Sequence, residues 1–138
     1  MPRYKNLKNL PHWHKEHEII YVISGEATLS LNGNEYILDG SFGAFIKSED
    51  IHSIKSTDDS VVEVIKIHSE LIKPVTDKYS LISPIISANY LEKYFTFIKN
   101  EINFDEFSDM LKESSAIDLI INVFRAESKK ESENLKSK

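Results

Sequence analysis

Residues 18–67 alternate between short runs of β-branched or aromatic residues and turn signals, and this pattern restricts the fold more than any other feature. The clearest turn signal is the Asn-Gly pair at 32–33, because this dipeptide between alternating stretches is typical of a tight hairpin. Leu29 and Leu31 share one face of its first arm. Six or seven short strands without a helical period predict a mainly β chain, an antiparallel sandwich or small barrel rather than β-α-β units.

The period of the apolar residues changes after Pro74, where the sequence becomes helical. One apolar stripe has the spacing i, i+3, i+4, i+7 and i+11, which is typical of one face of a helix. Its members are Leu91, Tyr94, Phe95, Ile98 and Ile102. Asn103 and Ser115 each stand three residues before an acidic residue, a pattern that predicts the starts of two further helices.

These changes of pattern divide the chain into three parts. We expect a β-barrel with an N-terminal arm at 1–72, a helical region at 73–125 and a polar linker or tail at 126–138. The last part is rich in Ser, Lys and Glu and has few residues that could join a core.

Composition excludes several classes of function. The 138 residues include 17 Lys and Arg against 22 Asp and Glu, so the net charge is −5 and a nucleic-acid surface on this chain is not expected. With no cysteine, disulfides and thiol nucleophiles are excluded. No stretch resembles a signal peptide or a membrane span, and we expect a cytoplasmic protein.

The stretch "HWHKEHE" at 12–18 is the densest group of chemically active side chains. On a strand, His12 and His14 point the same way with Cα atoms roughly 6.6 Å apart, and Glu18 has the same parity. His17 has the opposite parity and lies at the likely turn, so we expect it to face solvent. Two imidazoles and a carboxylate on one face suit Fe(II), Mn, Ni or Zn, and His52 is the candidate fourth ligand. The alternative is a polar patch that binds an uncharged ligand by hydrogen bonds.

These residues also resemble a known motif. "HWHKEHEIIYVISG" is similar to the first motif of the cupin superfamily, with Gly25 at its glycine, and "DGSFGAFIKSEDIHS" resembles the second motif, with His52 at its histidine. Departures stand at Asn6, Ser48 and Ser56, where the motifs often have Gly, Pro and Asn. The closer resemblance covers nearly the whole chain and is to the N-terminal sensor domain of AraC-type transcriptional regulators.

The AraC resemblance implies a jelly-roll β-barrel that binds a small, sugar-like effector, with no catalytic residues. It implies His12, His14, Glu18 and His52 as ligand-binding or metal-binding residues. It also implies that DNA is bound by a helix-turn-helix region that would follow this chain. The competing hypothesis is a free-standing metal-dependent cupin enzyme, a dioxygenase or sugar isomerase, with the same four residues as ligands.

The helices carry more apolar surface than a small sandwich covers from one side, so we expect a homodimer. Its interface is predicted on the last helix, packed antiparallel against a second copy, as in the family that the chain resembles. The residues predicted there are Ile117, Ile120, Ile121 and Phe124.

Overall fold

The structure is a computed structural model that describes residues 3–5, 15–40, 42–101 and 105–131. All strand pairs in this part of the chain are antiparallel, which confirms the predicted mainly β fold class. The strands are β1 (Arg3–Lys5), β2 (His17–Ser24), β3 (Glu26–Leu31), β4 (Asn34–Asp39), β5 (Gly43–Ile46), β6 (His52–Ser56), β7 (Val61–Ile67), β8 (Tyr79–Leu81), β9 (Ile85–Ile86) and β10 (Ser128–Lys130). The helices are a 3-10 turn (Ser69–Ile72), α1 (Lys73–Thr76), α2 (Ala88–Glu101) and α3 (Ser108–Glu127).

Two sheets face each other and form the barrel. The larger has the strand order β1-β7-β2-β5-β9 and the smaller has the order β4-β3-β6. Their facing sides bury one apolar cluster, because alternate residues of each strand point inward. Its members are Ile20, Val22, Ala27, Leu29, Leu31, Leu38, Ala44, Ile46, Ile54 and Val62. The predicted shared face of Leu29 and Leu31 is thus confirmed.

The predicted hairpin joins β3 to β4. Asn32 and Gly33 have φ of 49° and 87°, the two positive values that a tight two-residue hairpin turn requires. The register places Leu31 opposite Asn34 on the β4 side and opposite His52 on the β6 side. The inner face of this hairpin end therefore lies beside the first residue of β6.

The helices cover the outer face of the larger sheet, so this sheet is buried on both sides. Neighbouring residues of β2 show it, since Ile19 is 0% exposed and Ile20 is 1% exposed although they point in opposite directions. The outer cluster consists of Ile19, Phe45, Ile65, Ile67, Ile72, Ile86, Leu91, Tyr94, Ala116, Leu119, Ile120, Val123 and Phe124.

The helical region and the tail differ from their predictions. Strands β8 and β9 lie within 73–125, where we expected only helices, because they find backbone partners in β10 and β5. A single helix, α3, runs through Ser115, where we expected a new helix to start, because no Gly or Pro interrupts the segment and serine is tolerated inside a helix. Asn103, the other predicted start, lies outside the described residues. The predicted polar tail begins with the short strand β10, which pairs with β8. None of the described helices is long and apolar enough to cross a membrane.

Candidate functional site

Glu18 and His52 meet on the inner face of the barrel, although they are 34 positions apart in the sequence. Each lies at the start of a strand: Glu18 is the second residue of β2 and His52 is the first residue of β6. Oε1 of Glu18 lies 3.9 Å from Nε2 of His52. Both residues are buried, with 6% and 2% of their surface exposed. A carboxylate and an imidazole thus share a mostly apolar interior.

The orientation of His52 is set by its own loop. Its Nδ1 lies 3.0 Å from the carbonyl oxygen of Asp50, and because a carbonyl only accepts, Nδ1 carries the hydrogen. The loop is tied to the hairpin by two hydrogen bonds, from the N–H of Ile51 to Oδ1 of Asn32 and from the N–H of Asn32 to the carbonyl of Ile51. In the neutral imidazole Nε2 is then an acceptor that faces the Glu18 carboxylate, another acceptor. Such a pair suits a shared cation, a proton or the hydroxyl of a ligand.

The pair satisfies part of the geometry of a metal site. Two ligand atoms on a tetrahedral zinc are about 3.4 Å apart, since each Zn–N or Zn–O bond is roughly 2.1 Å, so 3.9 Å requires only a small approach. The hydrogen bond from Nδ1 of His52 to a backbone carbonyl is the support that metal-bound histidines usually have. His12 and His14 lie outside the described residues. Within the described ranges, no group of three or more potential metal ligands is found.

The prediction for His17 was wrong, because this side chain is buried at 2% exposure rather than facing solvent. It begins β2 and points to the outer face, opposite in direction to Glu18, where the helical layer covers the sheet. Nδ1 of His17 accepts a hydrogen bond of 2.8 Å from the N–H of Ser48. Its ring lies against Phe45, with centroids 5.3 Å apart. Parity alone could not show that both faces of this strand are covered.

Sequence reasoning missed Lys66, which stands directly opposite Glu18 on the neighbouring strand β7. Directly opposed residues of an antiparallel pair point to the same face, so this exposed lysine lies at the open end of the barrel beside the carboxylate. The sequence did contain a signal for the position of Lys66. Val62, Val64 and Lys66 are alternate residues of β7 and so share a face, and the two valines pack toward the inner cluster. A basic group therefore flanks the Glu18–His52 pair.

The four residues predicted at a dimer interface divide into two pairs. Ile120 and Phe124 are buried within this chain, at 0% and 5% exposure, because they pack on the outer face of the larger sheet. Ile117 is partly buried at the margin of that cluster and Ile121 is 38% exposed. The outward face of α3 also carries Met110, which is 75% exposed. Only the outward residues are available to a second copy without repacking the core.

An exposed contact holds α3 against the end of β7. Nδ1 of His68 lies 2.7 Å from Oε2 of Glu113, and the N–H of His68 donates to the same oxygen at 3.0 Å. The hydrogen bond and the charge of Glu113 raise the pKa of His68. Partial burial of Glu113 favours its neutral form, but the hydrogen bonds from His68 outweigh it and lower the pKa of this carboxyl.

Comparison with known proteins finds one family and several solved structures to which the chain is similar. A family model described as the AraC-like ligand-binding domain matches residues 3–133. No curated protein sequence matches. Among solved structures, an RmlC-like cupin from Shewanella frigidimarina is similar, with 19% identity, a TM-score of 0.40 and coverage of 46% of this chain and 58% of that one.

Two further structures show likeness of the same kind. KdgF from Halomonas sp. has 19% identity, a TM-score of 0.39 and coverage of 44% of this chain and 57% of its own. AerE from Microcystis aeruginosa has 17% identity, a TM-score of 0.47 and coverage of 60% of this chain and 38% of its own. The chain thus spans less than two thirds of the length of these relatives, and the likeness concerns the fold. From the family match over residues 3–133, the chain belongs to the AraC-like ligand-binding domain family.

Proposed function

We propose that this chain is the effector-sensing domain of an AraC-type transcription regulator and binds a small, polar, sugar-like molecule inside the barrel. The observation that carries the proposal is the convergence of Glu18 and His52, at 3.9 Å, on the inner face of a domain of this family. A buried carboxylate and a buried imidazole on a mostly apolar inner face are the kind of converging polar groups that orient a small polar ligand.

The chemistry of the inner face suits hydroxyl recognition. The Glu18 carboxylate accepts hydrogen bonds from ligand hydroxyls, and Nε2 of His52 accepts one more in the tautomer that its loop enforces. The ammonium group of Lys66 is a donor at the open end. Apolar neighbours such as Ile46 and Ile54 would contact the less polar face of the ligand.

A divalent metal is the alternative occupant of this position. Glu18 and His52 would hold it together with His12 and His14, and it would supply a Lewis acid that orients ligand oxygens. We propose binding without turnover in either case.

The regulatory context is part of the proposal. Ligand binding would bias the conformation of the domain, and a DNA-binding region following this segment in the full regulator would respond to it. We further propose that two copies associate through the outward face of α3, with Ile117 and Ile121 in the contact, because this face carries apolar residues that the chain itself leaves exposed.

A thermal-unfolding assay with matched variants tests the ligand site. The purified chain is titrated with neutral monosaccharides and, separately, with Zn²⁺, Ni²⁺, Mn²⁺ and anaerobic Fe²⁺. A ligand at a hundred times its Kd stabilises the folded state by about 2.7 kcal/mol. We expect Glu18→Gln to abolish the shift and Glu35→Gln, the same change on an exposed residue, to leave it intact.

The outcomes separate the alternatives. A shift with a sugar alone supports the hydroxyl-binding site, and a shift with metal alone supports the metal site. A shift that survives both Glu18→Gln and His52→Asn would show that the pair is not the binding site, and the proposal would be abandoned. A circular dichroism spectrum of each variant verifies that the fold is retained.

A further inference from the structure

A cavity lies between the β3–β4 hairpin and strand β8. Its volume is about 230 Å³, and neither Glu18 nor His52 is among the described residues that line it. Asn34 and Tyr36 line it from the barrel side, Tyr79 and Ser80 from β8, and Phe124 from α3. We call this cavity the hairpin cleft. It joins the barrel to the end of the last helix.

One wall of the hairpin cleft is half of a two-stranded ribbon. β8 pairs only with β10 among the described strands, with Tyr79 opposite Lys130 and Leu81 opposite Ser128. β10 follows α3 without a break. Because β10 pairs with β8, the position of β8 sets the direction in which the chain leaves α3.

Backbone hydrogen bonds close the ribbon at both ends, and Leu81 of β8 packs against the outer cluster. The N–H of Ile82 donates to the carbonyl of Glu127 at 3.0 Å, and the N–H of Glu131 donates to the carbonyl of Lys78 at 2.9 Å. The Ser80 hydroxyl donates to a carboxylate oxygen of Glu131. A two-stranded ribbon is marginally stable by itself in water, so whatever packs on β8 controls how often it opens.

The lining of the hairpin cleft indicates the class of its ligand. The side chains of Asn34, Tyr36 and Tyr79 carry an amide and two phenol hydroxyls, groups that both donate and accept hydrogen bonds. Phe124, which is 5% exposed, adds a small apolar surface to the lining.

Charge and size narrow the class further. The lining contains one lysine, Lys47, and one carboxylate, Asp50, so it has no surplus of positive charge for a phosphate. The volume corresponds to about eight water molecules, which one ring-sized polyol would displace. The lining therefore suits a small, uncharged polyhydroxylated molecule.

We propose that the hairpin cleft is a binding site for a small uncharged polyol, and that its occupant stabilises the β8–β10 ribbon and so the direction in which the chain leaves α3. The occupant would touch both the barrel, at Asn34, and the ribbon, at Tyr79. Binding then lowers the frequency of ribbon opening by mass action, because the open form loses one wall of the site. Neither Glu18 nor His52 lines this site, although Asp50, which accepts the hydrogen bond from Nδ1 of His52, does, so the two sites adjoin.

Amide hydrogen exchange on the intact chain tests the inference. The probes are neutral pentoses, hexoses and inositols, with sugar phosphates and amino acids as charged counterparts. At ten times its Kd, a ligand of the cleft slows exchange at Ile82 and Glu131 about tenfold. We expect Asn34→Ala to remove the effect and Glu35→Ala, the next residue on the opposite face of β4, to preserve it.

A Glu18→Gln chain separates the two sites. An effect on the ribbon that persists in this variant and disappears in Asn34→Ala supports the hairpin cleft, whatever becomes of the barrel site. An effect lost in Glu18→Gln and kept in Asn34→Ala places the polyol in the barrel and overturns the inference while supporting the proposed function. Slowing by charged compounds only, or no slowing by any neutral probe at millimolar concentration, also overturns it.

Discussion

Replacing Gly25 with alanine should destabilise the barrel strongly, for two reasons that can be measured separately. Gly25 joins β2 to β3 with φ of +83°, a left-handed conformation that costs an alanine about 1–2 kcal/mol. An added Cβ would also lie 2.4 Å from Oγ and 2.9 Å from Cα of Ser60, and the second atom belongs to the backbone. The backbone must shift to remove this steric clash, and overpacking of this kind typically costs about 1–3 kcal/mol.

Ser60 is poorly placed to move. It is 0% exposed, its hydroxyl donates to the carbonyl of Glu26 at 3.1 Å, and it accepts from the N–H of Glu26 at 3.3 Å. The two costs together predict a loss of about 2–5 kcal/mol for Gly25→Ala. Since native domains have about 5–15 kcal/mol of stability, this is a large part of the total.

The matched control is Gly33→Ala in the β3–β4 hairpin. Gly33 has nearly the same φ, +87°, but an added Cβ there meets no atom within 4 Å. Only the backbone cost of about 1–2 kcal/mol remains. Urea unfolding followed by circular dichroism measures both variants, and the difference between them is the steric contribution of Ser60. Equal losses in the two variants would refute the steric argument.

Three further predictions concern the helical layer. The contact of His68 with Glu113 contributes fully between their ordinary pKa values of 6.5 and 4.5, and is lost as pH rises through the raised pKa of His68 or falls through the lowered pKa of Glu113. Urea unfolding of Glu113→Gln should therefore differ most from that of the unaltered chain in that interval, and a pH-independent difference would contradict this. Phe124→Ala should cost about 3–5 kcal/mol in the same assay, because the side chain is buried in the outer cluster; a loss under 1 kcal/mol would contradict its core position. Ile121→Asp should weaken self-association in sedimentation velocity while Ile37→Asp, on an exposed residue of β4, should not; equal sedimentation of all three chains would count against the dimer contact.

Local signals in the sequence predicted much of the barrel. The Asn-Gly pair at 32–33 requires a conformation that few other dipeptides adopt, and it marked the hairpin at its observed place. Alternation predicted which residues of β3 point inward. Parity also placed Glu18 on the inner face, where it lies. These are properties of a residue and its near neighbours, so one sequence suffices for them.

Other features depended on what packs against each element. His17 has the parity of an outward residue, yet it is buried. The unbroken apolar run 19–23 in β2 is consistent with two covered faces, but it does not show what covers them. Ile120 and Phe124 of α3 pack against the sheet. In the sequence they belong to one broad apolar stripe, which does not show which of its residues face the sheet and which face outward. The strand β10 forms in a polar segment because β8 offers it backbone partners.

The sequence by itself determined the strand pattern, the hairpin and the inward parity of Glu18, because these follow from backbone preferences over two to five residues. Only the tertiary structure decided that His52 meets Glu18 at 3.9 Å, that Lys66 stands beside them and that the chain after α3 is held by β8. Each of these contacts joins segments more than thirty residues apart. Such contacts depend on how two sheets and a helical layer close around a shared core, which no local pattern specifies.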